Sequence, residues 1–290
     1  MERKEELLKP KIDVVFHSIF RKGNERITKA LITSITKEKI ENIELDNDRY
    51  IIGKYPEEKL GILDLKATLD NGTICDIEIQ LADNKDTAER FLFYWSRIYS
   101  GQLVKGEDYE KLNKVIGIII LDYNLEKTKE VEQISTKWKI KEVTTGKEIV
   151  LTDMLELYII EIPKVKRILE KEPNDKLAQW MQFLDNPNER EVFKAMEKNE
   201  EIKEAMEELE EVSKIKQLRR IAELKDKAIR DEKNGLRHAR EEGRKEGREE
   251  EKIEIAKRLL KIGLTTEQVI EATEFSKEEI EKIKNTLHLQ

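Results

Sequence analysis

The segment Leu63-Asp64-Leu65-Lys66-Ala67-Thr68-Leu69, then Asp70-Asn71-Gly72, then Thr73-Ile74-Cys75-Asp76-Ile77-Glu78-Ile79-Gln80-Leu81 alternates apolar and polar side chains on both sides of a turn signal. Apolar residues recur at 63, 65, 67 and 69 and again at 75, 77, 79 and 81, the period of two expected of half-buried strands. The segment reads as a β-hairpin whose second face carries Asp64, Lys66, Asp76, Glu78 and Gln80. A two-residue turn at Asn71-Gly72 would pair 70 with 73 and set 64 against 79. A three-residue loop ending in a left-handed Gly72 pairs 69 with 73 and sets 65 against 77, 63 against 79 and Asp64 against Glu78. Only the second keeps the apolar faces together, because a one-residue slip turns every side chain to the other face.

Carboxylates directly opposite each other have Cβ atoms roughly 5 Å apart and repel unless positive charge lies between them. A divalent cation answers the repulsion, and oxygen ligands without His or Cys suit Mg²⁺, or Mn²⁺, better than zinc. Lys66, diagonal to both acids, is a second answer that needs no metal. Spacing also admits a third, in which the acids lie on the solvated face of an ordinary hairpin.

The 290 residues allow about two domains. Charged residues make up 40% of the chain and hydrophobic ones 38%, with a globular first half and a last third that reads as charged helix. The sequence has no run of about 18 apolar residues, and its opening Met1-Glu2-Arg3-Lys4-Glu5-Glu6 lacks a signal-peptide core, which predicts a cytoplasmic protein without membrane contact. A single cysteine, Cys75, excludes an intramolecular disulfide, and its place in the alternation makes it a core residue. His17, His238 and His288 are too scattered for a zinc site. The net charge of −7 argues against a uniformly basic nucleic-acid binder, but a metal ion with a local basic rim can serve an acidic nuclease.

On the N-terminal side, Ile12, Val15, Phe16, Ile19 and Phe20 share one helical face, continued by Ile27, Leu31 and Ile35 after a break near Gly23. A strand is expected within Ile40–Ile52. After the hairpin, residues 87–105 form an aromatic-rich amphipathic helix, and the apolar run Val115-Ile116-Gly117-Ile118-Ile119-Ile120-Leu121 suits a central strand covered on both faces. Further strands are expected within Ile134–Val143, Glu148–Leu151 and Leu157–Ile162, with a turn at Gly146. The order of elements predicts an α/β fold, a mixed sheet flanked by helices.

Beyond Asn174 the strand signals vanish. Trp180, Phe183 and Leu184 suit a short helix capping the core, and residues 189–229 read as one long helix with coiled-coil-like spacing. The four-residue repeat at Ala239, Gly243 and Gly247 walks around a helix and reads as solvated helix or partly disordered linker rather than a packed seam. Thr265 with Gln268 and Ser276 with Glu279 fit capping boxes, and Gly263 fits the stop of the helix before them. The resulting helix pair suits either DNA recognition or partner packing.

Several motifs occur together: Lys11-Ile12-Asp13-Val14-Val15-Phe16 with Phe20, Gly61-Ile62-Leu63-Asp64, Ile77-Glu78-Ile79-Gln80, Arg90 with Tyr94-Trp95-Ser96, and Tyr99, Gln102-Leu103, Gly106 and Tyr109. Over residues 8–125 they resemble the recombination-promoting nucleases, or PD-(D/E)XK nuclease family transposases. The resemblance implies a restriction-endonuclease-like core in residues 1–170, a helical extension in 171–262 and a small helical hairpin in 263–290.

The resemblance also implies a metal-dependent DNA endonuclease with Asp64 and Glu78 as Mg²⁺ ligands. Gln80 stands where the wider superfamily carries lysine, and Lys66 could supply the missing ammonium. Asp13 matches the acid of the opening motif, although it also suits a helix N-cap. Arg90 and Tyr94, one turn apart, suit either the phosphate backbone or the edge of the core. The rival reading is a non-catalytic assembly or DNA-binding protein on the same fold, whose helical C-terminus self-associates.

Overall fold

The three-residue loop closes the hairpin as the burial argument requires. In the computed structural model, which describes residues 7–45, 65–83 and 86–287 and the backbone of 51–52 and 61–62, Leu65–Leu69 pairs antiparallel with Ile74–Gln80 in the register Leu65↔Ile77, Lys66↔Asp76, Ala67↔Cys75. The Leu69 N–H donates to the Thr73 carbonyl at 2.8 Å and the Gly72 N–H to that of Leu69 at 2.9 Å. Gly72 has φ +82°, which disfavours any residue with a Cβ; a Cβ there would also meet Asn113 Oδ1 at 2.8 Å. Leu63, Asp64 and His288 lie outside the described residues.

The elements in chain order are α1 (Asp13–Ile19), α2 (Glu25–Thr36), β1 (Ile43–Leu45), β2 (Ile51–Ile52), β3 (Gly61–Ile62), β4 (Leu65–Leu69), β5 (Ile74–Gln80), α3 (Thr87–Ser100), β6 (Val115–Leu121), β7 (Ser135–Trp138) and β8 (Leu155–Glu161). They are followed by α4 (Val165–Lys171), α5 (Lys176–Asp185), α6 (Arg190–Met196), α7 (Glu200–Ser213), α8 (Lys216–Lys261), α9 (Thr266–Thr273) and α10 (Lys277–Leu287). Among the described residues six strands form one mixed sheet in the order β1-β4-β5-β6-β8-β7. Strands β5, β6 and β8 are parallel, while β1, β4 and β7 pair antiparallel at the flanks. Parallel neighbours need a crossover, and α3 supplies it between β5 and β6.

Strand β6 is buried along its whole length. Ile116, Ile118 and Ile120 join Cys75, Ile77, Tyr158 and Ile160 in the main core, with side chains from α1, α2, α5 and α7. On the opposite face Val115, Ile119 and Leu121 meet Phe91, Tyr94 and Ile98 of α3. Glu78 and Gln80 pair in register with Ile119 and Leu121, so they share the α3 side of the sheet.

The residues after 170 do not form a separate extension up to the charged helix. Leu169, Trp180, Phe183, Val192, Ile202, Met206 and Leu209 are all buried in the main core, and the first of two compact units runs to Ile229. Nor is 189–229 one helix. The Asn199 side chain accepts the Ile202 N–H at 3.3 Å and starts α7 afresh, and α7 ends before α8 begins at Lys216. The apolar spacing of α7 therefore serves an intramolecular core. At its centre Trp180, 1% exposed, packs against Phe20 and Phe183 with ring centroids 6.0 Å apart in each case. Trp180→Ala should lower unfolding free energy by about 3–5 kcal/mol in urea titration; a loss under about 1 kcal/mol would show that the cavity collapses without cost.

The second unit, from Arg230, has its own small core of Ala256, Leu260, Val269, Ile280 and Ile283. Both capping boxes form: Thr265 and Gln268 exchange bonds of 2.9 and 3.3 Å, and Ser276 and Glu279 exchange bonds of 2.7 and 3.3 Å. The Gly243 and Gly247 repeat lies within helix α8 with residues 241–250 exposed. No helix among the described residues is long and apolar enough to cross a membrane.

Candidate active site

Strand β5 presents Asp76, Glu78 and Gln80 on one face. Asp76 and Glu78 are each 6% exposed, so these acids do not lie on a solvated hairpin face. Burying carboxylates is costly unless hydrogen bonds or cations compensate, which marks the face as chemically specialised. Lys66 lies directly opposite Asp76 across the β4–β5 pair and is half-buried. Cys75 points into the opposite core, where burial pushes its thiol far above the usual range.

Gln80 closes the strand. Its side-chain Nε2 donates to the Ala82 carbonyl at 2.9 Å, and its own carbonyl accepts the Asp122 N–H at 3.0 Å. Asp122 in turn receives the Lys11 ammonium at 2.9 Å, and Asp185 receives it at 2.6 Å. Burial works against the Lys11 charge, yet the two carboxylates outweigh it and hold its pKa above the ordinary lysine value. The N-terminal motif is thereby tied to the carboxyl ends of the parallel strands β5 and β6, where open α/β sheets place their ligands.

Asp13 is the first residue of α1 and is not its N-cap, a position held by Ile12. Its Oδ1 accepts the Val14 N–H at 2.7 Å, and its other oxygen pairs with Lys225 of α8. Tyr94 is 7% exposed and packs with Ile98 and Val115. Arg90 sits over the Tyr94 ring, its guanidinium carbon 5.9 Å from the centroid. The structure thus places Glu78, Gln80 and Lys66 on one hairpin, and Arg90 and Tyr94 on the helix packed against the same side of the sheet. Asp64 lies outside the described residues.

Sequence spacing missed Asp122 and Tyr123. Their signal was position, immediately after the apolar run of a central strand. It also missed a second ion cluster around Glu156 in β8, whose three lysine partners at 114, 137 and 139 are separated along the chain. No group of three or more His, Cys, Asp or Glu spaced for a metal ion occurs among the described residues.

The profile of the PD-(D/E)XK nuclease family transposases matches residues 10–239. The chain belongs to this family. The PD-(D/E)XK assignment supports a nuclease-like or transposase-related function, in a superfamily whose nucleases generally use divalent metals and act on DNA. The match takes in α1, the hairpin, α3 and the helices α4 to α7, of which all but α3 share the main core. No curated protein and no solved structure matches the chain.

Proposed function

We propose that this protein is a Mg²⁺-dependent DNA endonuclease whose metal ligands are Asp64 and Glu78. The observation that carries the reading is the buried Glu78 carboxylate on the hairpin of a PD-(D/E)XK family member. Continued by one residue, the register Leu65↔Ile77 would set Asp64 opposite Glu78. The donors on this face are oxygens from carboxylates and an amide, a set that suits a hard divalent ion, with Mn²⁺ as an alternative.

When bound, the ion neutralises charge on the phosphoryl oxygen and lowers the pKa of a water. The protein's own groups do the rest. Asp64 and Glu78 would hold the ion, and the buried setting of Glu78 would strengthen the electrostatic contacts made there. Gln80 cannot take a proton, so its amide orients the attacking water. Lys66 places an ammonium on the same face, where it stabilises charge developing on the phosphate. Asp13, bonded to the Val14 N–H and Lys225, would serve as the acid of the N-terminal motif, and Arg90 on α3 binds the phosphate backbone with Tyr94 supporting its guanidinium.

Plasmid DNA incubated with Mg²⁺ and either wild type or Asp64→Ala tests the proposal. Nicking by wild type with at least ~10²-fold less by the variant is expected, the scale on which loss of one electrostatic stabiliser is felt. Equal nicking by both would reject the assignment, and nicking by neither would favour a non-catalytic DNA-binding or assembly protein on the same fold.

A further inference from the structure

Tyr123 lies two residues beyond the end of β6 on the α3 side, packed with Phe91, Ile119 and Leu121. Its hydroxyl is 2.7 Å from Thr87 Oγ1 at the start of α3. Thr87 is only 5% exposed, so water competes poorly for that bond.

The chain on both sides of Tyr123 is fixed. Upstream, the Asp122 N–H is bonded to the Gln80 carbonyl. Downstream, the fully buried Glu161 accepts the Leu125 N–H at 2.9 Å, the Thr128 hydroxyl at 3.0 Å and the Lys164 ammonium at 2.5 Å. Tyr123 is therefore a post anchored at the ends of β5 and β6 that reaches across to α3. Arg90 follows Thr87 by three residues and shares its side of the helix. Burial raises the Tyr123 pKa, with Asp83, Asp86 and Arg90 all near enough to influence it.

We infer that Tyr123 is a positioning residue of the nuclease site proposed above, on which this inference rests. Its hydrogen bond to Thr87 fixes the start of α3 against the strand ends, so that the Arg90 guanidinium is held ready for a DNA phosphate. Arg recognises phosphate through a rigid fork, and the benefit of that fork depends on prior placement. Slack at Thr87 therefore weakens binding of DNA without altering the groups that act on the scissile bond.

Steady-state cleavage of a short duplex in Mg²⁺ supplies the test. Tyr123→Phe should raise KM about fivefold to tenfold, the weight of one shielded hydrogen bond, and leave kcat within about twofold. Thr87→Val should do the same, and Thr87→Ser, which restores a hydroxyl, should return KM close to wild type. Combining Tyr123→Phe with Arg90→Ala should be no worse than Arg90→Ala alone, since both remove one unit of function. Unchanged KM, a fall confined to kcat, or multiplication of the two effects would each overturn the inference while wild-type cleavage left the nuclease reading standing. A wild type that does not cleave would overturn both.

Discussion

Glu78→Gln should abolish the response to Mg²⁺ expected of the proposed site. The substitution preserves shape and polarity in β5 and removes the charge with which Glu78 would hold the proposed ion. Two measurements should move together. Cleavage should fall by about 10²-fold or more, the usual scale for losing an electrostatic stabiliser of the transition state. Thermal stability should lose its metal dependence: at an ion concentration ten times Kd, binding to the native state contributes about 1.4 kcal/mol, and the variant should show none of it. Melting curves with and without Mg²⁺ need no substrate, so they report on the metal site even where cleavage is too slow to follow. Retained Mg²⁺ stabilisation in the variant would mean that Glu78 is not a ligand.

The hairpin register was legible in the sequence because burial is binary. With apolar residues at 65, 67 and 69 and at 75 and 77, a single slip would have turned Ile77 toward charged neighbours, and the observed pairing of Leu65 with Ile77 is the one that avoids this. The central strand was legible for a related reason, since seven consecutive buried positions leave no polar face to read. Trp180, Phe183 and Leu184 marked α5 as a cap on the core, but α4, α6 and α7 were not legible as part of it. An apolar stripe at 202, 206 and 209 satisfies a coiled-coil partner and an intramolecular one equally well, and only tertiary structure shows it seated in the core with α1 and α2. The break between α6 and α7 rests on one Asn side chain, Asn199, within a helix-rich stretch.

The candidate site divided in the same way. Glu78 and Gln80 could be read from local spacing, and so could the three-residue separation of Glu78 from Cys75 on the opposite face. The ties that position the strand ends could not. Lys11 reaches Asp122 and Asp185, partners 111 and 174 residues away, and no periodicity encodes a pairing of that span. Ionic contacts are specified by single residues, whereas cores are specified by patterns, so sequence reading finds cores first.

Glu156→Gln illustrates the cost of disturbing such a contact. Glu156 is 3% exposed and takes Lys114 at 3.1 Å, Lys137 at 2.9 Å and Lys139 at 2.8 Å. Burial alone would raise its pKa, but the three lysines outweigh burial and hold it at about 2. Removing the charge leaves three ammonium groups crowded together, with Glu38 and Asp153 to share among them. Loss of one partner from a buried ionic cluster destabilises by about 3–5 kcal/mol, and about 3 is expected here because the lysines, 22–40% exposed, can turn partly to water. The pH dependence fixes the cause. A carboxylate whose folded pKa lies below its unfolded value near ~4.3 adds stability above that value and loses it as pH falls toward the folded pKa. The gap between wild type and Glu156→Gln should therefore be full at pH 7 and close progressively as pH falls through the window from about 4.3 to about 2. Urea titrations at pH 7, 4 and 2.5 measure it directly, and a gap that stays constant across that range would mean that packing, and not charge, is what Glu156 contributes.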